Sequence, residues 1–178
     1  MTNLADLKEQ IRATFATVPA PPAWCLSNSR EGTEPELLER DFRDKRDWRL
    51  LTPAFLDWAP DGFASALSFF SDEAFRFYLP AYLLADLHGQ LQSVDVLFHL
   101  THGLDNGSKD QRINPLRYGS RTWFDHACYK FSIFHEDQAR AIAAFVEHRR
   151  DHATTDLERT QAQEALQNYW LARTMGHR

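Results

Sequence analysis

Residues 71–87 read SDEAFRFYLPAYLLADL, and this stretch decides the fold. Ser71 can accept a hydrogen bond from the backbone three residues on, and Asp72 and Glu73 put negative charge where a helix dipole favours it. Behind that start, Phe75, Phe77, Tyr78, Leu79, Tyr82, Leu83, Leu84 and Leu87 occupy nearly every angular position of a helix. A helix that is apolar all round is buried, so this one belongs at the centre of a core. Pro80 interrupts it, because the ring clashes with the carbonyl of Arg76 and proline has no N–H to donate. The expectation is a kink, or a split into two helices with Pro80 in the first turn of the second. His88-Gly89 closes the segment.

The pattern continues outward in both directions. Leu4, Leu7, Ile11, Phe15 and Val18 step by three and four along one helix face. Pro19, Pro21 and Pro22 then stop that helix and open an irregular stretch at 19–32. Thr33-Glu-Pro-Glu36 has the form of a capping box. On the helix it starts, Glu36, Glu39 and Asp41 each precede a base by four residues, at Arg40, Arg43 and Lys45, in the favourable order for ion pairs. Thr52-Pro53 begins a short helix, and Ser93-Val-Asp95 restarts one after the central segment. Residues 102–121 hold Gly103, Asn106-Gly107, Asn114-Pro115 and Gly119, and read as a second long loop. Cys128 to Phe134 alternates briefly, the one stretch with a strand-like pattern. An apolar stripe at Ala139, Ile142, Ala143, Phe145 and Val146 and a second capping box, Thr155-Asp-Leu-Glu158, give two more helices, with Gly176 placed to cap the last. The fold class is therefore all-α: a single helical domain over residues 1–178, of six to eight helices.

The bulk numbers narrow the function. Lys and Arg total 20 against 25 Asp and Glu, a net charge of -5. Nucleic-acid binders usually carry the opposite surplus, so nucleic acid is not the expected partner. No apolar run approaches the ~20 residues of a membrane span. Cys25 and Cys128 form no CxxC and no disulfide framework, which fits two reduced cysteines and a cytoplasmic location. The chain is rich in rings, with 13 Phe, 5 Trp and 5 Tyr.

Residues 66–87, ALSFFSDEAFRFYLPAYLLADL, resemble a family of uncharacterised bacterial proteins that carries a similar Ala-Leu-Ser-Phe segment, a Ser-x-Glu-Ala start and a Tyr-Leu-Pro-Ala-Tyr-Leu run. Residues 134–148, FHEDQARAIAAFVEH, look like that family's closing helix, although His135-Glu136-Asp137-Gln138 replaces its usual Thr-Pro-Glu-Gln start. The resemblance implies a bacterial origin and brings no catalytic residues with it.

Several constellations could carry chemistry. His99-x-x-His102 puts two rings about 60° apart on a helix, with His88 near in sequence, and together they could supply ligands to zinc. The competing reading is a histidine pair favoured by the negative end of a helix. His148 and His152 share a helix face but sit among charges of a solvated end. Asp125-His126-x-Cys128 holds the parts of a thiol nucleophile, yet residues two apart do not face each other on a helix. Arg76, Tyr78, Tyr82 and Asp86 sit in the apolar central helix, where charges must be paired. Glu73 and Arg76 could pair, and the group forms either a polar network around Pro80 or a small-molecule or anion pocket there. Residues 40–49, RDFRDKRDWR, form the strongest charge run, either a solvated face or a partner-binding arm helped by Phe42 and Trp48. Aromatics outside the central helix, at Trp24, Phe42, Trp48, Tyr118, Trp123 and Phe124, are where a binding face is expected.

No phosphate loop or nucleophile elbow is present. Weight therefore shifts from catalysis to recognition, with no cofactor required. The leading expectation is a small cytosolic bacterial protein with a protein partner, of the immunity or antitoxin-like inhibitor type. The alternatives are a zinc-dependent enzyme at His88, His99 and His102, or a small-molecule or anion-binding regulator at the Pro80 kink.

Overall fold

In a computed structural model, described for residues 3–175, the regular secondary structure is all helical and no described residue belongs to a strand. It divides into two compact units, Asn3–Val96 and the residues from Leu97 onward. Ten helices are found among the described residues where six to eight were expected. The excess comes from short pieces, two of them, at Pro53 and Pro115, started by single side-chain caps from Thr52 and Asn114.

In the first unit, α1 (Leu4–Phe15) is capped by Asn3, which accepts a hydrogen bond from the Ala5 amide at 3.1 Å. Its apolar face, Leu7, Ile11 and Phe15, is buried, and it packs on α5. α2 (Thr33–Phe42) starts differently from the expected capping box. Gly32 occupies the cap with φ of 94°, a left-handed conformation that suits glycine, and no side chain caps the helix. Because α2 ends at Phe42, the expected ion pairs at Arg43 and Lys45 have no helix to carry them. Arg40 turns instead to Asp41 at 2.8 Å and to Asp61 at 3.1 Å.

A 3-10 turn, Trp48–Leu50, leads into α3 (Pro53–Trp58), where Thr52 Oγ1 accepts from the Phe55 amide at 3.2 Å. α4 (Ala66–Phe69) is one turn. α5 (Asp72–Leu87) then runs through Pro80 as one helix. Splitting at Pro80 does not occur, since a helix this deeply buried gains more from packing than the lost hydrogen bond costs. Its Ser71 cap forms as expected, accepting from the Ala74 amide at 3.1 Å. The irregular stretch at 19–32 is tied to this start: the Ser71 amide donates to Leu26 O at 2.9 Å and the Asn28 amide to Phe69 O at 2.8 Å.

α6 (Val96–Thr101) leads into the second unit and ends at Gly103, with φ of 82°. A Cβ there would lie 3.0 Å from both the Ala127 Cβ and the Trp123 carbonyl. Gly103→Ala is therefore expected to lower stability by about 2 kcal/mol, read as a fall in the urea midpoint.

The rest of the 102–121 stretch is ordered by side chains. Asp105 accepts from the Ser108 amide and hydroxyl at 2.9 and 2.6 Å. Asn106 donates through its amide and side chain to Glu164 at 3.0 and 2.9 Å. Lys109 reaches Asn168 at 2.7 Å, and Asn168 donates to Leu104 O at 2.8 Å. α7 (Pro115–Tyr118) is a single turn capped by Asn114.

α8 (Trp123–Phe131) covers most of the segment that alternates in sequence. A reciprocal capping box between Thr122 and Asp125 starts it, and Ala127 and Phe131, four apart, are its buried positions. α9 (Glu136–Asp151) packs on α10 (Asp156–Ala165). Thr155 caps α10, but Glu158 sends its carboxylate to Arg149 at 2.8 Å rather than back to Thr155. The helical run continues through a π turn, Leu166–Trp170, into Leu171–Thr174. Trp170 fills the core of this unit beside Phe131, Phe134 and Tyr169. Gly176, expected as the last cap, lies outside the described residues.

Candidate functional site

The charge run at 40–49 becomes a site through what lies behind it. Phe42 is buried against Phe55, Phe70 and Tyr78, with ring centroids 5.0, 4.9 and 4.8 Å away, and Phe70 stacks on Tyr78 at 5.0 Å. Trp48 is buried too, at 3% exposure, so Phe42 and Trp48 are core and not the exposed face expected of them. With both rings turned inward, the charged residues between them are pushed out as a loop. Tyr78 fixes that loop by donating its hydroxyl to Lys45 O at 2.7 Å.

The loop and the start of α3 enclose a cleft of about 560 Å³ lined by Asp44, Lys45, Arg46, Asp47, Leu50, Leu51, Thr52 and Phe55. Its charges are unequally committed. Asp47 caps the Trp48–Leu50 turn and holds Arg49 at 2.8 Å, and the Arg49 pairing keeps its carboxyl below the usual range. Lys45 extends over the Phe55 ring, 5.3 Å from its centroid. Among the described residues, Lys45 and Arg46 meet no carboxylate within ion-pair distance. Leu50 stands at the rim, 78% exposed.

The other expected site residues are placed as follows. Tyr82 is wholly buried, and its hydroxyl has no hydrogen-bond partner among the described residues. Burial pushes both Tyr78 and Tyr82 far above the ordinary phenol range. The two rings give opposite predictions. Tyr78→Phe should lower stability by about 1 kcal/mol, because Lys45 O loses its donor. Tyr82→Phe should leave stability unchanged or raised, because it removes a polar group whose desolvation nothing offsets. Paired urea melts check this, and equal losses would contradict it.

Arg76 and Asp86 lie half-buried on α5, and burial lowers the Arg76 pKa. Arg76, Tyr82 and Asp86 do not line the cleft, while Tyr78 reaches its loop by a hydrogen bond. Pro80 is itself buried, so the middle of α5, where a pocket was expected, is packed interior. Trp123 is half-buried on α8, 5.9 Å from the His102 ring and 6.1 Å from that of His126.

The zinc expectation is not supported by the geometry. Among the described residues, no three His, Cys, Asp or Glu side chains gather as ligands. His102 lies against the ring of Phe98 at 4.9 Å, and His99 is 5.5 Å from the same ring. His88 takes a hydrogen bond from Lys8 at 3.3 Å. An ammonium can only donate, so Nδ1 accepts and the ring is neutral. Burial, Lys8 and Arg12 together hold its pKa down.

Neither cysteine is an activated thiol. Burial and then Asp125 push Cys128 up, and a hydrogen bond to Glu73 pushes Cys25 up. A thiol that donates to a carboxylate is held protonated.

A family described as a family of unknown function, DUF6714, matches residues 3–174. The chain is a DUF6714 protein. The family is an uncharacterised one, as the resemblance at 66–87 implied. Neither a curated protein nor a solved structure matches this DUF6714 chain. Among its described residues no helix is long and apolar enough to cross a membrane.

The residues missed in sequence are Leu50, Leu51 and Phe55. The charge run before them was visible. The signal for the rest was Leu50-Leu51 immediately ahead of the Thr52-Pro53 helix start, an apolar pair outside any helical stripe.

Proposed function

We propose that this DUF6714 protein acts by recognising another protein, and that residues 44–63 are the face it uses. The observation that carries the reading is the exposure of Leu50, Trp58 and Phe63, at 78, 47 and 56%, within one pinned segment. Tyr78 holds its start at Lys45 O. At its end, Asp41 accepts from the Asp61 amide at 3.0 Å while Arg40 holds the Asp61 carboxylate. Large apolar side chains presented by a rigid backbone lose little entropy on docking, which is what interface anchors require. The size of the chain and its net charge of -5 support the finer version, a cytosolic bacterial inhibitor of the immunity or antitoxin type.

The test places a photo-reactive residue in the face. Leu50→p-benzoylphenylalanine should give one covalent protein adduct in cells, and the same residue at Leu157, 68% exposed in the other unit, should not. With the captured partner purified, Leu50→Glu should weaken the binary complex at least tenfold. Absence of an adduct at position 50, or equal adducts at both positions, overturns the reading.

A further inference from the structure

We infer that the cleft at residues 44–55 reads a free carboxylate attached to an apolar side chain, and that its occupant is the C-terminal residue of a partner protein. The inference rests on residues 44–63 being a docking face. It adds what that face recognises.

The cleft pairs an apolar wall with uncommitted positive charge. Leu50, Leu51 and Phe55 supply the wall, and Lys45 and Arg46 supply the charge. The Lys45 ammonium sits 5.3 Å from the Phe55 centroid, so charge and apolar surface are side by side. A chain end has the same arrangement, since its carboxylate and its last side chain branch from one Cα. Arg46 offers a planar fork that matches a carboxylate, while Lys45 acts as a point charge.

The local balance selects a monoanion. Asp47 is committed to Arg49 and to its own backbone turn. Lys45 and Arg46 then face Asp44 alone, which leaves one surplus positive charge in a chain of net charge -5. A dianionic phosphate would meet Asp44 with its second charge uncompensated. A single carboxylate would not.

The site is also preorganised. Tyr78 fixes the Lys45 carbonyl, and the floor ring Phe55 is set against Phe42. Its volume of about 560 Å³ lies within the range of pockets that enclose drug-sized ligands.

The experiment uses the full chain and three probes: a pentapeptide ending in leucine with a free carboxylate, the same peptide as its C-terminal amide, and octanoate. Binding is followed by amide chemical shifts and fluorescence polarisation. The free-acid peptide is expected to move resonances within residues 44–55 and to bind at least tenfold tighter than the amide. Arg46→Gln should erase most of that preference, and Leu50→Ser should weaken acid and amide equally. Equal affinity for acid and amide, a preference that survives Arg46→Gln, or shifts outside residues 44–55 would overturn the inference. Octanoate binding as tightly as the peptide would also overturn it, assigning the cleft to free acids. A covalent adduct at position 50 without carboxylate preference leaves the docking face standing and removes this inference. Carboxylate preference without an adduct removes the docking face, and with it the partner's chain end as occupant, leaving only a carboxylate-selective cleft.

Discussion

Trp170→Ala should lower stability by about 3–5 kcal/mol, the largest loss expected from a single truncation in this chain. Trp170 has no exposed surface, and Phe131, Tyr169 and Phe134 surround it at centroid distances of 5.0, 5.1 and 6.2 Å. Removing the indole opens a cavity that three rings cannot all collapse into. It also strips the Leu100 carbonyl of its donor, since Trp170 Nε1 donates to it at 2.9 Å. Trp170→Phe separates the two effects. It keeps most of the ring volume and should lose about 1–2 kcal/mol, chiefly from the unpaired carbonyl. Urea unfolding followed by far-UV circular dichroism reads both variants. A loss under 1 kcal/mol for alanine would mean that the second unit does not depend on this ring.

Asp57→Ala is expected to follow, with a loss of about 2–4 kcal/mol. One carboxylate oxygen accepts from the Gln92, Ser93 and Val94 amides at 3.0, 2.8 and 3.1 Å. Three consecutive donors ahead of α6 thus converge on one anion from α3. Burial pushes the Asp57 pKa up, but the three amides and the Ser93 side chain together outweigh it and the net shift is downward. A lowered folded-state pKa means stability that is fully present above the unfolded carboxylate value of about 3.9. It is lost as pH falls through the lower folded value. Asp57→Asn should therefore be destabilised at neutral pH, and the difference from the parent should shrink towards pH 3. A difference that stays constant with pH would show that the charge of Asp57 contributes nothing.

The central helix was legible because its apolar residues fill every angle and its Ser71 cap is local. The all-helical class follows from the same periodicity elsewhere. Three features were not legible, each for a physical reason. Residues 128–131 alternate in sequence, yet the Thr122–Asp125 box upstream commits them to a helix. Thr122 lies at the end of a stretch dense in turn residues, which masks the box in the sequence. Phe42 and Trp48 sit in a run of charges and read as surface. Phe42 is buried because the Phe70 and Tyr78 rings lie behind it, and Trp48 because its turn packs on α5; no local pattern encodes either pairing. The candidate site had the same difficulty. Its charges were visible in the run at 40–49, but its apolar wall comes from the next segment, outside any helical stripe.

Asn106-Gly107 is the dipeptide in which the following amide most readily attacks an asparagine side chain and expels ammonia. The folded chain withholds both partners of that reaction. Asn106 is helical, with φ of -64° and ψ of -34°, so the Gly107 nitrogen is turned away from the side-chain carbon. The amide nitrogen is spent on Glu164, and its oxygen receives Lys109 and Asn168. Spontaneous deamidation at Asn106 should therefore be slow in the native protein and fast in a peptide of residues 102–112. Mass spectrometry of aged samples then reports how often this loop comes away from the π turn. Ageing of the protein becomes a clock for local opening.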